Sequence, residues 1–167
     1  MIKYDMDAID YIAKIADGGM RDAITLMDKC LAYSNYLTLE NVIKALGVID
    51  YDVMFNITDA IADRQPKVII KLIDSIYKQG KDLKLFIRNY AEFILDLCKY
   101  NLTKSYEFIK IPSLYNEYLT RYGNYEFQVC NRLLSTLVKL NADIKWETNP
   151  KALIEATLML EVADEQD

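Results

Sequence analysis

Residues 16–31, ADGGMRDAITLMDKCL, contain the end of one helix and the start of the next. The adjacent glycines Gly18 and Gly19 end the first helix, because glycine disfavours helix interiors and is common at helix ends. Beyond them, apolar residues recur with helical spacing at Met20, Ala23, Ile24, Met27 and Leu31. This pattern predicts two helices joined by a tight turn, with the apolar stripe of the second facing a core.

The flanking segments have the same period. Apolar residues precede the glycine pair at Ile9, Ile12, Ala13 and Ala16. A third helix is predicted to begin after Thr38, a favoured N-cap residue, and to end at Gly47, a favoured C-terminal residue. Its apolar face consists of Leu39, Val42, Ile43 and Leu46. We therefore predict a small three-helix bundle over residues 1–48.

Residues 49–167 are predicted to form a larger helical bundle. Pro66 and Pro150 suit the first position of a helix, and Asn149 suits the N-cap that precedes it. Long helices are expected to end near Tyr100 and Leu140. Two apolar faces are expected to be buried: Val68, Ile69, Leu72, Ile73 and Ile76, and then Ala152, Leu153, Ala156 and Leu160. With only 5 Gly and 3 Pro in 167 residues, long helices can run uninterrupted, so the predicted fold class is all-α.

Charge and composition exclude several function classes. The net charge is −5, from 20 basic and 25 acidic residues that are mixed along the chain. Direct DNA binding is therefore not expected, and a helix-turn-helix DNA-binding protein, which needs basic and base-reading side chains on one helix, is disfavoured. No apolar stretch reaches the roughly 18 residues of a membrane span, and no signal peptide is present, so a cytoplasmic protein is expected.

The sequence also contains few of the residue types that catalytic and metal sites need. The chain has no His, and its three cysteines, Cys30, Cys98 and Cys130, form no CxxC pair. These cysteines are expected to be small buried side chains in a reducing compartment. No GxxxxGK[ST] phosphate-binding loop occurs. We expect no catalytic residue, no metal site and no cofactor bound by this chain alone.

Arg21 is the residue whose position indicates a function. It falls in the first turn of the second helix, opposite the apolar stripe, where a cation opposes the helix dipole. A locally disfavoured cation on the outward face indicates an anionic partner. The alternative is a plain turn at Gly18 and Gly19, with Arg21 solvated near Asp17 or Asp22.

A resemblance to a known family favours the first interpretation. One segment resembles the sensor 2 segment of the gamma/tau subunits of bacterial DNA polymerase III, a family of AAA+ clamp loaders. The residues that match are Tyr11-Ile12-Ala13, then Ala16-Asp17-Gly18-Gly19-Met20-Arg21-Asp22-Ala23, Leu26 and Asp28. The resemblance continues through Leu46-Gly47 and returns at Asn149-Pro150-Lys151 and Ile154-Glu155. Two positions depart from the family, which often has Ser in place of Gly19 and Arg in place of Lys151.

The resemblance implies a non-catalytic part of a clamp-loader ATPase. Residues 1–48 would be the lid and residues 49–167 the oligomerising collar. Arg21, supported by the turn at Gly18 and Gly19, would reach the γ-phosphate of ATP on a neighbouring domain. ATP and Mg²⁺ would belong to the longer parent protein, and the partners would be other gamma/tau copies, delta and delta-prime in the pentamer that loads the sliding clamp. The alternative is a stand-alone helical scaffold without nucleotide sensing.

Two aromatic features remain open to more than one interpretation. Six tyrosines lie close together in the sequence and suit either a subunit interface or ordinary half-buried positions: Tyr100, Tyr106, Tyr115, Tyr118, Tyr122 and Tyr125. Trp146 is the only Trp, and we expect it to fill the core rather than to serve as an interface hot spot.

Overall fold

The computed structural model describes residues 1–48, 50–122 and 127–163. The chain is all-α, as predicted. Its N-terminal bundle has three helices: α1 (Met6–Ala16), α2 (Met20–Tyr33) and α3 (Leu39–Leu46). The C-terminal bundle has α4 (Tyr51–Ala62), α5 (Pro66–Lys78), α6 (Leu83–Thr103), α7 (Asn116–Tyr122), α8 (Phe127–Asp143) and α9 (Pro150–Ala163). Short 3₁₀ turns lie at Ser113–Tyr115 and Ile144–Trp146.

Local capping interactions set the ends of several helices. The Thr38 hydroxyl accepts a hydrogen bond from the Asn41 N–H at 3.1 Å, and Gly47 ends α3 with a positive φ of 71°. Pro66 occupies the first turn of α5. Ahead of α9, the Asn149 Oδ1 accepts the Ala152 N–H at 3.3 Å. These predicted caps are confirmed.

A short parallel strand pair, which the sequence analysis did not predict, joins the N-terminus to the α2–α3 connection. Strand β1 (Lys3–Tyr4) pairs with β2 (Tyr36–Leu37). The Asp5 N–H donates to the Leu37 carbonyl at 2.9 Å, and the Tyr36 hydroxyl donates to the Asp5 carboxylate at 2.9 Å. Two residues are too few to give an alternating pattern, so no sequence signal marks these strands.

The C-terminal bundle is organised around α6. This helix of 21 residues runs past the predicted end at Tyr100 to Thr103, and α8 packs along it. Helix α9 packs against α4, α5 and α8. The buried core of α6 is formed by Phe86, Ile87, Tyr90, Phe93, Ile94 and Leu97, among others. The cysteines Cys30, Cys98 and Cys130 are all buried, as predicted.

Several predicted burial assignments are wrong. Met20 and Ile24 do not face the core of the N-terminal bundle, and Val68 lies on the outer side of α5. On α9 the buried residues are Ile154, Leu158 and Glu161, whereas Ala152, Ala156 and Leu160 are exposed. Because α9 is apolar on nearly all sides, its sequence did not indicate which side would be buried.

The aromatic predictions have mixed outcomes. Trp146 does not fill the core, since its side chain is 90% exposed on the 3₁₀ turn before α9. Tyr100 and Tyr115 are buried, while Tyr106 and Tyr118 remain partly exposed. The Tyr122 side chain, Tyr125 and the predicted helix end at Gly123 lie outside the described residues. Among the helices described, none has the length and apolarity required to cross a membrane.

Candidate functional site

The turn between α1 and α2 brings the predicted site residues together. Helix α1 ends at Ala16, and Asp17 and Gly18 follow with positive φ values of 50° and 80°. A Cβ added to Gly18 would meet nothing within 4 Å, so glycine is favoured there by backbone conformation and not by lack of space. The Gly19 N–H donates to the Ala16 carbonyl at 2.9 Å. The next helix therefore begins immediately after the first ends.

Gly19 is the N-cap of α2 and, without a side chain, makes no side-chain capping hydrogen bond. A Cβ at Gly19 would lie 2.8 Å from the Asp22 Oδ2 and 3.2 Å from the Ala16 carbonyl oxygen. The Asp22 carboxylate thus lies against the position that a capping side chain would occupy. An acidic group in the first turn also interacts favourably with the positive end of the helix dipole.

Arg21 lies in the first turn of α2 and points away from the bundle. The buried residue of this helix is Cys30, nine residues further on, which at about 100° per residue places it on the opposite side from Arg21. The Arg21 side chain is exposed, and among the described residues its guanidinium has no hydrogen-bond or ion-pair partner. An exposed side chain without a partner is consistent with an anion-binding residue and equally with the solvated-charge alternative.

Two exposed apolar side chains flank Arg21. Met20 is 75% exposed and Ile24 is 55% exposed, on the same outward side of α2. We call Met20, Arg21 and Ile24 the Arg21 face. Two exposed apolar side chains beside a cation suit a surface that another domain covers. The predictions that Met20 and Ile24 face the core are wrong, because their helical spacing is the same on either side of α2.

The Arg21 face can bind an anion but offers no catalytic group. Guanidinium donates two parallel hydrogen bonds to a phosphate or carboxylate, and it stays charged at any working pH. Across the described parts of the chain, no cluster of three or more His, Cys, Asp or Glu side chains could hold a metal ion.

A second exposed apolar surface lies on the C-terminal bundle. Its exposed apolar side chains include Val138 on α8, Trp146 before α9 and Leu160 on α9, which is 64% exposed. Between α8 and α9 runs a groove of about 340 Å³ that Leu160 and Glu161 help to line. Glu161 is buried, and its carboxylate accepts from Arg132 at 2.7 Å and from Thr136 at 2.8 Å. We call the groove between α8 and α9, with the exposed Leu160 beside it, the α8–α9 surface.

Comparison with known families decides the membership of the chain. Residues 37–164 match the family model described as DNA polymerase III subunits gamma and tau domain III. Residues 1–36 match the model described as DNA polymerase III clamp loader subunit, ATPase lid domain. The chain belongs to the DNA polymerase III gamma and tau subunits. It therefore carries clamp-loader subunit domains of DNA polymerase III.

Curated relatives agree with this membership. The chain is 22% identical over 163 residues to the DNA polymerase III subunit tau of Bacillus subtilis (strain 168), covering 95% of this chain and 28% of that protein. It is 22% identical to the DNA polymerase III subunit gamma of Buchnera aphidicola subsp. Schizaphis graminum, covering 96% of this chain and 45% of that protein. The chain thus spans less than half the length of either relative.

The two family matches meet between residues 36 and 37, whereas the predicted boundary falls between residues 48 and 49. Helices α1, α2 and α3 pack on one another, which groups α3 with the N-terminal bundle in space. A domain boundary at residue 48 stays a prediction.

Proposed function

We propose that the N-terminal bundle is a lid that reports the nucleotide state of a clamp-loader ATPase through Arg21. The observation that carries this proposal is the Arg21 guanidinium itself. It stands exposed at the start of α2, opposite the buried side of that helix, and has no partner among the described residues. Such a cation is available to a phosphate held by a neighbouring domain.

The proposed contact distinguishes ATP from ADP. A guanidinium placed at the γ-phosphate donates two charge-assisted hydrogen bonds that have no acceptor once that phosphate has left. The lid position that makes this contact would then bind ATP more tightly than ADP. A ligand shifts a conformational equilibrium only by its difference in affinity for the two states, and this contact supplies such a difference.

The apolar neighbours of Arg21 support the same proposal. Met20 and Ile24 would be covered by the nucleotide-binding domain when the lid closes on it. Their burial would remove water from around the guanidinium and the phosphate, which strengthens the electrostatic attraction. ATP and Mg²⁺ would be held by a part of the parent protein that these residues do not include.

We further propose that the C-terminal bundle is a collar that associates with other clamp-loader subunits: gamma/tau copies, delta and delta-prime. The α8–α9 surface supports this proposal, because a helix that is apolar nearly all round, such as α9, is normally covered on all sides. Trp146, rejected as a core residue, fits an interface position, where Trp is enriched.

The nucleotide-sensing proposal is tested by Arg21→Ala in the longer parent protein, assembled with its partner subunits. ATP-dependent clamp loading should fall by roughly 10–100-fold, since about 1.5–3 kcal/mol is typical of hydrogen bonds to charged groups. Assembly should be unchanged. The matched control is Lys29→Ala, which removes an exposed cation from the same helix. Normal loading by the Arg21 variant would refute the sensor assignment.

The collar proposal is tested by Leu160→Asp, measured as subunit association by native mass spectrometry. The matched control is Leu102→Asp on α6, because Leu102 is exposed to a similar extent, 68% against 64%. We expect the Leu160 variant to associate at least tenfold more weakly and the Leu102 variant to associate normally. Equal association by both variants would remove α9 from the interface.

A further inference from the structure

We propose that α1 is fastened to the C-terminal bundle by two polar ties, so that the two bundles turn as one body when the Arg21 face is displaced. The inference rests on the proposed function only for what displaces the Arg21 face. We call the two ties the joint, and the joint does not depend on that function. The ties are a tyrosine pair and a lysine that holds a loop. Tyr11 and Lys14 act as positioning residues for the lid.

The first tie is a hydrogen bond between two buried tyrosines. The hydroxyl oxygens of Tyr11 on α1 and Tyr51 on α4 lie 3.0 Å apart, and their rings meet edge to face with centroids 6.1 Å apart. Burial raises the pKa of Tyr11 to about 12 and also raises the pKa of Tyr51. Both hydroxyls therefore stay protonated, and one donates to the other. Tyr51 packs on Phe93 and Tyr115 of the C-terminal bundle, with ring centroids 6.2 Å and 5.5 Å away.

The second tie is made by Lys14, one helical turn beyond Tyr11 on the same side of α1. Its ammonium nitrogen donates to the Ile111 carbonyl at 3.3 Å and lies 3.4 Å from the Ser113 hydroxyl. These partners are 97 and 99 residues away in the sequence: Ile111 lies in the loop after α6, and Ser113 begins the 3₁₀ turn that follows. Lys14 thus joins the lid to a part of the C-terminal bundle far from the covalent connection.

The loop that Lys14 contacts is itself hydrogen-bonded to α6. One oxygen of the buried Asp96 carboxylate accepts the N–H of Lys110 at 2.8 Å and the N–H of Ile111 at 3.2 Å. Lys14 therefore holds a segment that is anchored to the longest helix of the bundle. Residues 14, 111 and 96 form a continuous path from α1 to α6.

Polar ties matter here because the apolar packing at this junction is incomplete. A cleft of about 150 Å³ lies between α1, α4 and α6, and Tyr11, Tyr51 and Asp96 line it. A rotation of the lid against the C-terminal bundle would separate Tyr11 from Tyr51 and Lys14 from Ile111. Separating the two tyrosines leaves a buried hydroxyl without its partner, which opposes the rotation.

The joint connects directly to the Arg21 face. Helix α1 ends at Ala16, and the tight turn at Gly18 and Gly19 leads at once into α2. A displacement of Arg21 would therefore move α1 as well, and the two ties would couple α1 to α4 and α6. The ties add to the apolar core that the two bundles share and to the connection after α3.

The test measures a distance between the two bundles in the chain itself, without nucleotide. Spin labels are placed at Asp28→Cys on α2 and Lys139→Cys on α8, both exposed positions. The native cysteines are buried and should stay unlabelled, which is checked on the chain without added cysteines. Pulsed electron spin resonance should give one narrow distance distribution. A broad or double distribution in the unmodified background would overturn the proposal.

Variants at the ties separate the joint from simple folding. Combining Tyr11→Phe with Lys14→Ala should broaden the distribution at least twofold, while Lys14→Arg, which keeps the donor charge, should leave it narrow. Lys29→Ala is the control. If the combined variant loses helix content, Lys14→Ala alone is used, and hydrogen exchange of the Ile111 region should rise about tenfold. Unchanged distances and unchanged exchange would overturn the proposal. Neither outcome depends on whether Arg21 contacts a phosphate.

Discussion

Asp96 provides the sharpest test of how the C-terminal bundle is held together. Its carboxylate is buried in the cleft between the two bundles, and a single oxygen accepts two backbone N–H groups, from Lys110 and Ile111. The Lys99 ammonium lies 3.9 Å from the other oxygen. Two substitutions separate the contribution of the charge from that of the hydrogen bonds. Asp96→Ala removes acceptor and charge together, whereas Asp96→Asn removes the charge and keeps an oxygen that can accept both hydrogen bonds.

The magnitudes follow from the two N–H groups. An unsatisfied buried donor costs about 1–3 kcal/mol, and the Lys110 N–H, which is only partly buried, costs less than that of Ile111. Asp96→Ala should therefore lower the free energy of unfolding by about 2–4 kcal/mol, or lower Tm by roughly 4–16 °C for a chain of this size. Asp96→Asn should stay within about 1 kcal/mol of the wild-type chain at pH 7, because it also removes the desolvation cost of a buried charge.

The pH dependence has a defined sign. Burial raises the pKa of Asp96 above its ordinary value of 3.8, and the hydrogen bond from the Lys110 N–H and the Lys99 charge only partly oppose this shift. The folded chain thus binds the proton more tightly than the unfolded chain. The contribution of Asp96 to stability is therefore full below pH 3.8 and falls as pH rises through the raised value.

Urea unfolding of the wild-type chain and of both variants between pH 4 and pH 7 measures these differences. Because Asn cannot titrate, the stability of Asp96→Asn relative to wild type should increase with pH across this interval and then level off. An Asn variant as unstable as the Ala variant, or one that loses stability relative to wild type as pH rises, would refute the reasoning. It would show that the charge, and not the pair of hydrogen bonds, stabilises the loop.

Three further predictions concern other parts of the chain. Gly18→Ala should cost about 1–2 kcal/mol in unfolding free energy, because Gly18 has a φ of 80°, and calorimetry should show the loss without any change in helix content. Leu137→Ala should cost about 2–5 kcal/mol in urea unfolding, because Leu137 is fully buried on α8; a cost under 1 kcal/mol would contradict its place in the core. Trp146, the only Trp, should be fully quenched by iodide in the isolated chain and become protected and blue-shifted when partner subunits bind; protection in the isolated chain would contradict its exposure.

The helix ends were largely predictable because capping is local. Thr38 and Asn149 accept N–H groups three residues further along the chain, so both partners stand together in the sequence. Glycine and proline act in the same way, through the conformation of a single residue, at Gly47 and Pro66. The alternation of such signals with apolar runs was sufficient to identify the all-α fold class.

Which side of a helix is buried was less predictable. An apolar residue that packs against another domain or subunit has the same helical spacing as one that faces the core. Met20, Ile24 and Leu160 were therefore predicted to face the core, but they are exposed. Arg21 was predicted to project away from the core, and it does; the prediction that Met20 and Ile24 lie opposite it is wrong. The tie between Tyr11 and Tyr51 was not predictable, since it joins residues 40 apart.

The most direct test of nucleotide sensing compares affinities for ATP and ADP in the assembled parent protein. The central claim is that Arg21 contacts the terminal phosphate, so Arg21→Ala should weaken the binding of a non-hydrolysable ATP analogue by roughly 10–100-fold and leave ADP affinity unchanged. The preference for the triphosphate would then largely disappear. Equal weakening of both nucleotides, or no weakening of either, would contradict the claim.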